Sequence, residues 1–271
     1  MSAFAEPKFA WEPFTPRGVA AFARASLERL LVVQSIIALL AAAAVVWVLS
    51  SGFFPTVDAA IQNLPPTGEI SRGKLNLSVQ SDRPPQILAE GHFLAFTIDV
   101  QNSQVLRSPA QFQFEFSQDS LVILSLLGAM EIPYPPDQSF YFNRADVQPA
   151  WGAWSPNLLG LVAIGTFFGL LLSWAALATI YFLPVWLISF LSDRDLNFRA
   201  SWKLAAAALL PGALLLTLGI VLYGFGVFDL VQLGFAFTMH LIIGWIYLFI
   251  SPMFLHRALP AAEKNPFGEK K

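Results

Sequence analysis

Four long apolar runs constrain this chain more than any other feature. They cover residues 30–50, 158–182, 204–224 and 230–255. A hydrocarbon layer about 30 Å thick is crossed by roughly 20 apolar residues in a helix, and each run meets that length. The whole chain is 56% hydrophobic and only 13% charged, where an ordinary soluble domain carries about 25% charged residues. The pattern therefore predicts membrane spans and excludes one large soluble core. The second run stays apolar to residue 191 and contains Pro184. Proline removes a backbone donor and crowds the preceding turn, so a kink is expected there. Residues 183–203 then read as an interfacial and loop segment, with Tyr181 and Trp186 at headgroup depth. The first run is too long for the core of a cleaved signal and reads as an uncleaved anchor.

Lysine and arginine set the orientation. Lys8, Arg17, Arg24 and Arg29 precede the first run, Arg194, Arg199 and Lys203 sit between the second and third, and Arg257, Lys264, Lys270 and Lys271 come after the fourth. Four spans put all of these on one side. The other side holds Arg72, Lys74, Arg83, Arg107 and Arg144, spread over the longer segment 51–157. The basic side is the cytoplasmic one. The expectation is a multi-pass protein of a bacterial inner membrane, with cytoplasmic termini (1–29 and 256–271) and residues 51–157 outside. Within 1–29, Thr15-Pro16 reads as a helix start. The helix it opens is either an amphipathic one in the inner interface or an extension of the first span.

The outside segment changes period. "KLNLSVQ" (74–80), "FLAFTIDV" (93–100) and "QFQFEF" (111–116) alternate, placing Leu75, Leu77 and Val79, then Phe96, Ile98 and Val100, then Phe112, Phe114 and Phe116 on single faces. Alternation predicts strands with one buried and one wet face. "QNSQ" after Val100 reads as a turn. "SLVILSLLG" (120–128) is apolar but too short to span, so it is a central strand or one resting on the membrane surface. "QSFYFN" (138–143) is a further strand candidate, and the proline pairs at 65–66, 84–85 and 135–136 argue against helices. The predicted fold class is an α-helical integral membrane protein with four transmembrane helices and a small antiparallel β-domain of about five strands inserted between helices 1 and 2.

Three motifs carry a resemblance. They are "AAIQNLPPTGEISRGKLNLSVQSDRPPQIL", "FTIDVQNSQ" and "QDSLVILSLLGAMEIPYP". The pattern resembles an uncharacterised bacterial membrane family, some of whose members are labelled maltodextrin-utilisation proteins, itself similar to Yip-type multispan proteins. Pro66, Ile70, Gly73 and Leu75 match its first element, Ile98-Asp99 its second, and Asp119, Leu121 and Val122 its third. The resemblance implies a span followed by an outside domain. It brings no catalytic or binding residues.

Chemistry-bearing residues are sparse. Cysteine is absent, which removes disulfides, thiolate metal sites and a cysteine nucleophile. The net charge of −2 gives no nucleic-acid footprint. Spans two to four have no Asp, Glu, Lys or Arg inside, leaving His240, while Gln34 is the most polar group of the first span. Intramembrane polar groups mark function more often than chance, but a histidine there also serves simply as a helix-to-helix hydrogen bond. Gly165 and Gly169 form a small-xxx-small pair with Gly160 one turn earlier, read first as packing within the chain. "YGFG" (223–226) is a turn without the Lys-Ser/Thr of a phosphate loop. Asp193 and Asp195 in the loop "SDRDLNFRASWK" read as solvated ion-pair partners or caps. Outside, His92 is the only histidine, with Asp99, Glu115 and Asp119 as candidate acids and no nucleophile-elbow motif. No cofactor or metal site is predicted. The leading expectation is a non-enzymatic membrane protein whose outside domain binds a protein partner or an envelope component, as an accessory subunit of a membrane complex. A transport-associated or lipid-handling protein using His240 and Gln34 is the second, and a membrane enzyme using His92 the third.

Overall fold

The computed structural model describes residues 8–77, 84–101, 103, 105–194 and 196–257. It has four helices long and apolar enough to cross a membrane, over Leu27–Gln62, Arg144–Leu191, Phe198–Gly224 and Leu230–Phe254. A small β-domain lies between the first and second of these. The chain forms two units. One comprises Met1–Ala41, Phe167–Leu216 and Phe237–Lys271; the other comprises Ala42–Thr166 and Thr217–Ala236.

The first unit is helical. Helix α1 (Pro16–Ala21) starts as the sequence predicts: the Thr15 hydroxyl accepts from the Gly18 amide at 3.0 Å, with proline at the first position. It is not a simple extension of the first span. Its residues Val19 and Ala20, and Phe22 just after it, are buried in the unit's own core. A turn over residues 22–26 separates it from helix α2 (Leu27–Val48). Gly18 makes the close packing feasible, since a Cβ there would strike the Glu12 carbonyl.

Helix α4 (Arg144–Leu191) runs unbroken through Pro184, so residues 183–191 continue the helix. One missing amide costs one hydrogen bond, and the apolar turns on either side carry the helix past it. The third run is divided instead: α5 (Phe198–Ala208) and α6 (Leu210–Gly224) meet at Leu209, next to Pro211, which has no amide to continue the ladder. Helix α7 spans Leu230–Ile250 and ends in a 3-10 turn, Ser251–Phe254. Leu30 and Val33 of α2, Trp174 and Val185 of α4, the alanine run 205–208 and Leu248 of α7 form the core. Two basic residues here are tied to backbone carbonyls. Lys203 Nζ donates to Ala25 O and Arg194 Nη1 to Leu255 O, each at 2.5 Å. Of the two acids in this loop, Asp195 lies outside the described residues.

The second unit opens with a helix where the proline pairs had argued for none. After a π turn at Leu49–Phe53, helix α3 (Phe54–Gln62) continues from the first span, with Pro55 in its first turn, where no amide is needed. Strands β1 (Gly68–Ser71) and β2 (Lys74–Leu77) form a hairpin through Arg72 and Gly73. Both loop residues have positive φ, 53° and 72°, as a two-residue hairpin matching strand twist requires. Residues 78–80 of the predicted first strand lie outside the described residues. Strand β8 (Phe140–Tyr141) pairs with β1, completing a sheet of order β2-β1-β8.

The second sheet has five strands, β3 (Gln86–Glu90), β4 (Leu94–Ile98), β5 (Phe112–Phe116), β6 (Ser120–Ser125) and β7 (Gly128–Pro133), in that spatial order. It is not wholly antiparallel. Strands β4 and β5 are parallel, with Thr97 opposite Glu115, so the chain crosses over between them; a turn is present at Val100 and Gln101, while residues 102 and 104 of "QNSQ" lie outside the described residues. That crossover lies over the polar face of β4 and β5, and the expectation that this face is wet is overturned. Thr97, Asp99, Gln113, Glu115 and Ser117 are all 3% exposed or less. The facing phenylalanines, Phe112, Phe114 and Phe116, are only half-buried.

Gln113 pins the crossover. Its Nε2 donates to Leu106 O at 3.0 Å and to Glu115 Oε2 at 3.2 Å, while its Oε1 accepts from the Ser108 amide at 3.0 Å. Ser103 donates to Asp99 Oδ2 at 2.8 Å. Burial raises the pKa of Glu115; the nearby Asp99 carboxylate adds to the rise and Arg107 opposes it. A carboxyl whose folded pKa is raised stabilises fully below the ordinary range, near pH 4.3. That contribution is lost as pH climbs through the raised value. Glu115→Gln keeps an acceptor for Gln113 and removes the charge. The variant is expected to raise the urea midpoint of the β-domain at neutral pH, with the gain shrinking on acidification. A gain independent of pH would contradict this origin.

Candidate functional site

The apolar face of the second unit carries an open cavity with a mostly apolar lining. It measures about 610 Å³, within the roughly 300–1,000 Å³ common for small-molecule sites. Three elements wall it. Helix α3 contributes Val57, Ala60 and Ile61, with Leu64 just past its end, and α4 contributes Val147, Ala150, Trp151 and Trp154. The α4 set follows i, i+3, i+4, i+7 and the α3 set i, i+3, i+4, one helical face each. The floor is Leu88, Phe96 and Phe116 of the five-stranded sheet, with Phe142 just after β8.

The walls are fastened to one another. The Trp151 indole Nε1 donates to Asp58 Oδ1 at 2.6 Å, and the same ring meets Phe54 edge-on at 4.9 Å. Phe116 and Phe142 pack with ring centroids 4.7 Å apart. Asp146 is the one carboxylate in the described lining, and it belongs to the cap of α4. Asn143 Nδ2 donates to Asp146 Oδ2 at 2.9 Å, and the Asp146 amide donates back to Asn143 Oδ1 at 3.0 Å. Asn143 thus caps the helix start, and the Asp146 carboxylate holds the capping side chain in place. The cavity thus offers apolar contact area and almost no polar anchor.

The residues singled out in the sequence are not gathered into one place. His92 is exposed; its ring meets Phe93 edge-on at 4.8 Å and lies 3.5 Å from Gln111 Nε2. Asp99 is at the other end of β4, roughly 20 Å away at the rise of an extended strand, and is held by Ser103. Asp119 is largely exposed and 3.9 Å from Lys74, an exposed pair of little energetic weight. Gln34 is buried at 4% exposure, one turn from Leu30 and from Ile37 and Ala38. His240 is half-buried, and its Nδ1 pairs with the Phe237 carbonyl of its own helix. The α6 backbone approaches α7 there, since a Cβ on Gly212 would run into the His240 carbonyl. Gly160, Gly165 and Gly169 face open space. Among the described residues no three of His, Asp and Glu gather to hold a metal ion.

Protein-family models, curated proteins and solved structures gave no match to this chain. The cavity was not among the sites anticipated from sequence. Its signal was nevertheless present, in the two i, i+3, i+4, i+7 sets at 57–64 and 147–154.

Proposed function

We propose that this is a non-enzymatic, multi-pass protein of a bacterial inner membrane that presents a binding domain outside the membrane and keeps both termini in the cytoplasm. On the three motifs of its outside segment it joins the family some of whose members are labelled maltodextrin-utilisation proteins. The apolar cavity between α3, α4 and the β-sheet carries the binding reading, and its occupant is an envelope component. Support for membrane insertion comes from the helix surfaces. Only 11% of the apolar window of α4, and 11% of that of α7, is buried within the chain. Side chains such as Leu161, Leu172, Phe235 and Phe237 stand more than half exposed. Apolar surface on that scale is covered by lipid or by another protein. The lysine and arginine asymmetry supports the orientation. The transport reading draws less support, because the His240 ring is engaged within its own helix. The enzyme reading draws less still, because His92 is exposed and apart from the acids.

The test is purification of the tagged full-length protein from its native membrane in mild detergent, alongside Ala150→Phe. Ala150 lines the cavity and is itself exposed, so the larger side chain fills space without disturbing a core. A companion molecule retained by the wild type and lost from Ala150→Phe is expected. Identical companions from both proteins would remove the cavity from the function.

A further inference from the structure

We infer that the cavity of the second unit is a slot for a single acyl chain of a membrane lipid or free fatty acid. The inference rests on the reading of this cavity as a binding site. Three observations point to this ligand chemistry. First, the wall is long in one direction. The lining of α4 extends over Val147 to Trp154, about 10 Å at 1.5 Å per residue, and opposite it the lining runs from Val57 on α3 to Leu64 just past the end of that helix. An extended chain uses that length, whereas a compact molecule leaves one end of it bare.

Second, the wall is mostly apolar. Of its polar side chains, Asp146 is engaged by Asn143 and Trp151 by Asp58, and Ser139, Tyr141 and Trp154 are the others. A polar metabolite would lose its hydration with few hydrogen bonds in return, at a cost of kilocalories per group. An alkyl chain loses nothing comparable and gains roughly 0.8 kcal/mol per buried methylene.

Third, the slot adjoins the apolar runs along the chain. Trp154 precedes Leu158, the start of the second run, by four residues of the same helix, about 6 Å of rise. Trp154 and Tyr141 line the cavity and are each 70% exposed. Tryptophan and tyrosine are the side chains that settle at headgroup depth. In the proposed orientation, a chain leaving the outer leaflet would enter past Trp154 without first crossing water.

The experiment uses full-length protein in phosphatidylcholine nanodiscs and two photoprobes: stearic acid with a mid-chain diazirine, and a compact adamantyl diazirine. Labelled residues are mapped by mass spectrometry. Wild type, Ala150→Phe, Val147→Phe and the control Ala153→Phe, which lies outside the lining, are compared after circular dichroism has matched their folds. The expected result is stearate labelling of Leu88 and Phe96, competed by unlabelled stearate, lost in both filled variants and kept in the control. If only the adamantyl probe labels those residues, the acyl inference is overturned and the cavity remains a binding site for something compact. If neither probe labels them, or if filling the slot changes nothing, the binding reading falls with it.

Discussion

Phe142→Ala is expected to unfold the β-domain. Phe142 is 6% exposed, packs on Phe116 and belongs to the cluster that joins β1, β2, β3 and β4. Truncating a buried phenylalanine costs about 3–5 kcal/mol, part lost transfer energy and part cavity. A domain of this size holds only about 5–15 kcal/mol in total, so one side chain removes a large share of it. The site lies beside an existing cavity, so the void left would be continuous with it and would not be closed by collapse. Its amide also anchors the chain after β8 by donating to Gly68 O at 2.9 Å. Limited proteolysis of membranes carrying the variant should give new cuts within residues 84–133 while α5 to α7 remain intact. Retention of the wild-type protease pattern would mean that the two small sheets are held by something other than this cluster.

Gly212→Leu is expected to be the most damaging change in the helical unit. The obstacle to a Cβ at Gly212 is the main chain of His240, not a side-chain tip that can swing aside. The two helices must therefore separate. Overpacking costs about 1–3 kcal/mol when side chains can adjust, and more when they cannot. The comparison is Gly160→Leu, where nothing lies within 4 Å of the added atom. Thermal unfolding of the purified protein in detergent should show a clear drop for Gly212→Leu and little change for Gly160→Leu. Equal drops would show that the α6–α7 contact is not what limits stability.

How much was legible in the sequence depends on the range of the interactions that decide each feature. The four apolar runs and the β-domain between the first two are set by local composition, and they appear where hydropathy put them. The cap at Thr15 is also local. The faces of β4 and β5 were not legible. Alternation shows that Gln113 and Glu115 share a face with each other, but not what covers that face. The cover is the 99–111 crossover, and it exists because β4 and β5 are parallel, a pairing between distant segments. Pro184 does not end the helix for a related reason: its local penalty is real, but the long apolar helix on both sides outweighs it. The cavity was half legible. Each helical set of lining residues can be read from spacing, whereas their meeting over a phenylalanine floor depends on tertiary structure.

The pairing of β8 with β1 has a consequence for how the protein is made. In the proposed orientation the outside segment emerges from its amino-terminal end. The β1–β2 hairpin is available early, yet β1 keeps one open edge until Phe140 arrives opposite Ile70. Open edges recruit stray strands, so the interval is one of exposure to aggregation and to proteases. Phe140 and Tyr141 are followed within three residues by the start of α4. Sealing of the sheet therefore coincides with complete export of the segment and the arrival of the next helix. Chains stalled before residue 140 should remain unsealed, giving envelope quality control a recognisable mark of incomplete synthesis.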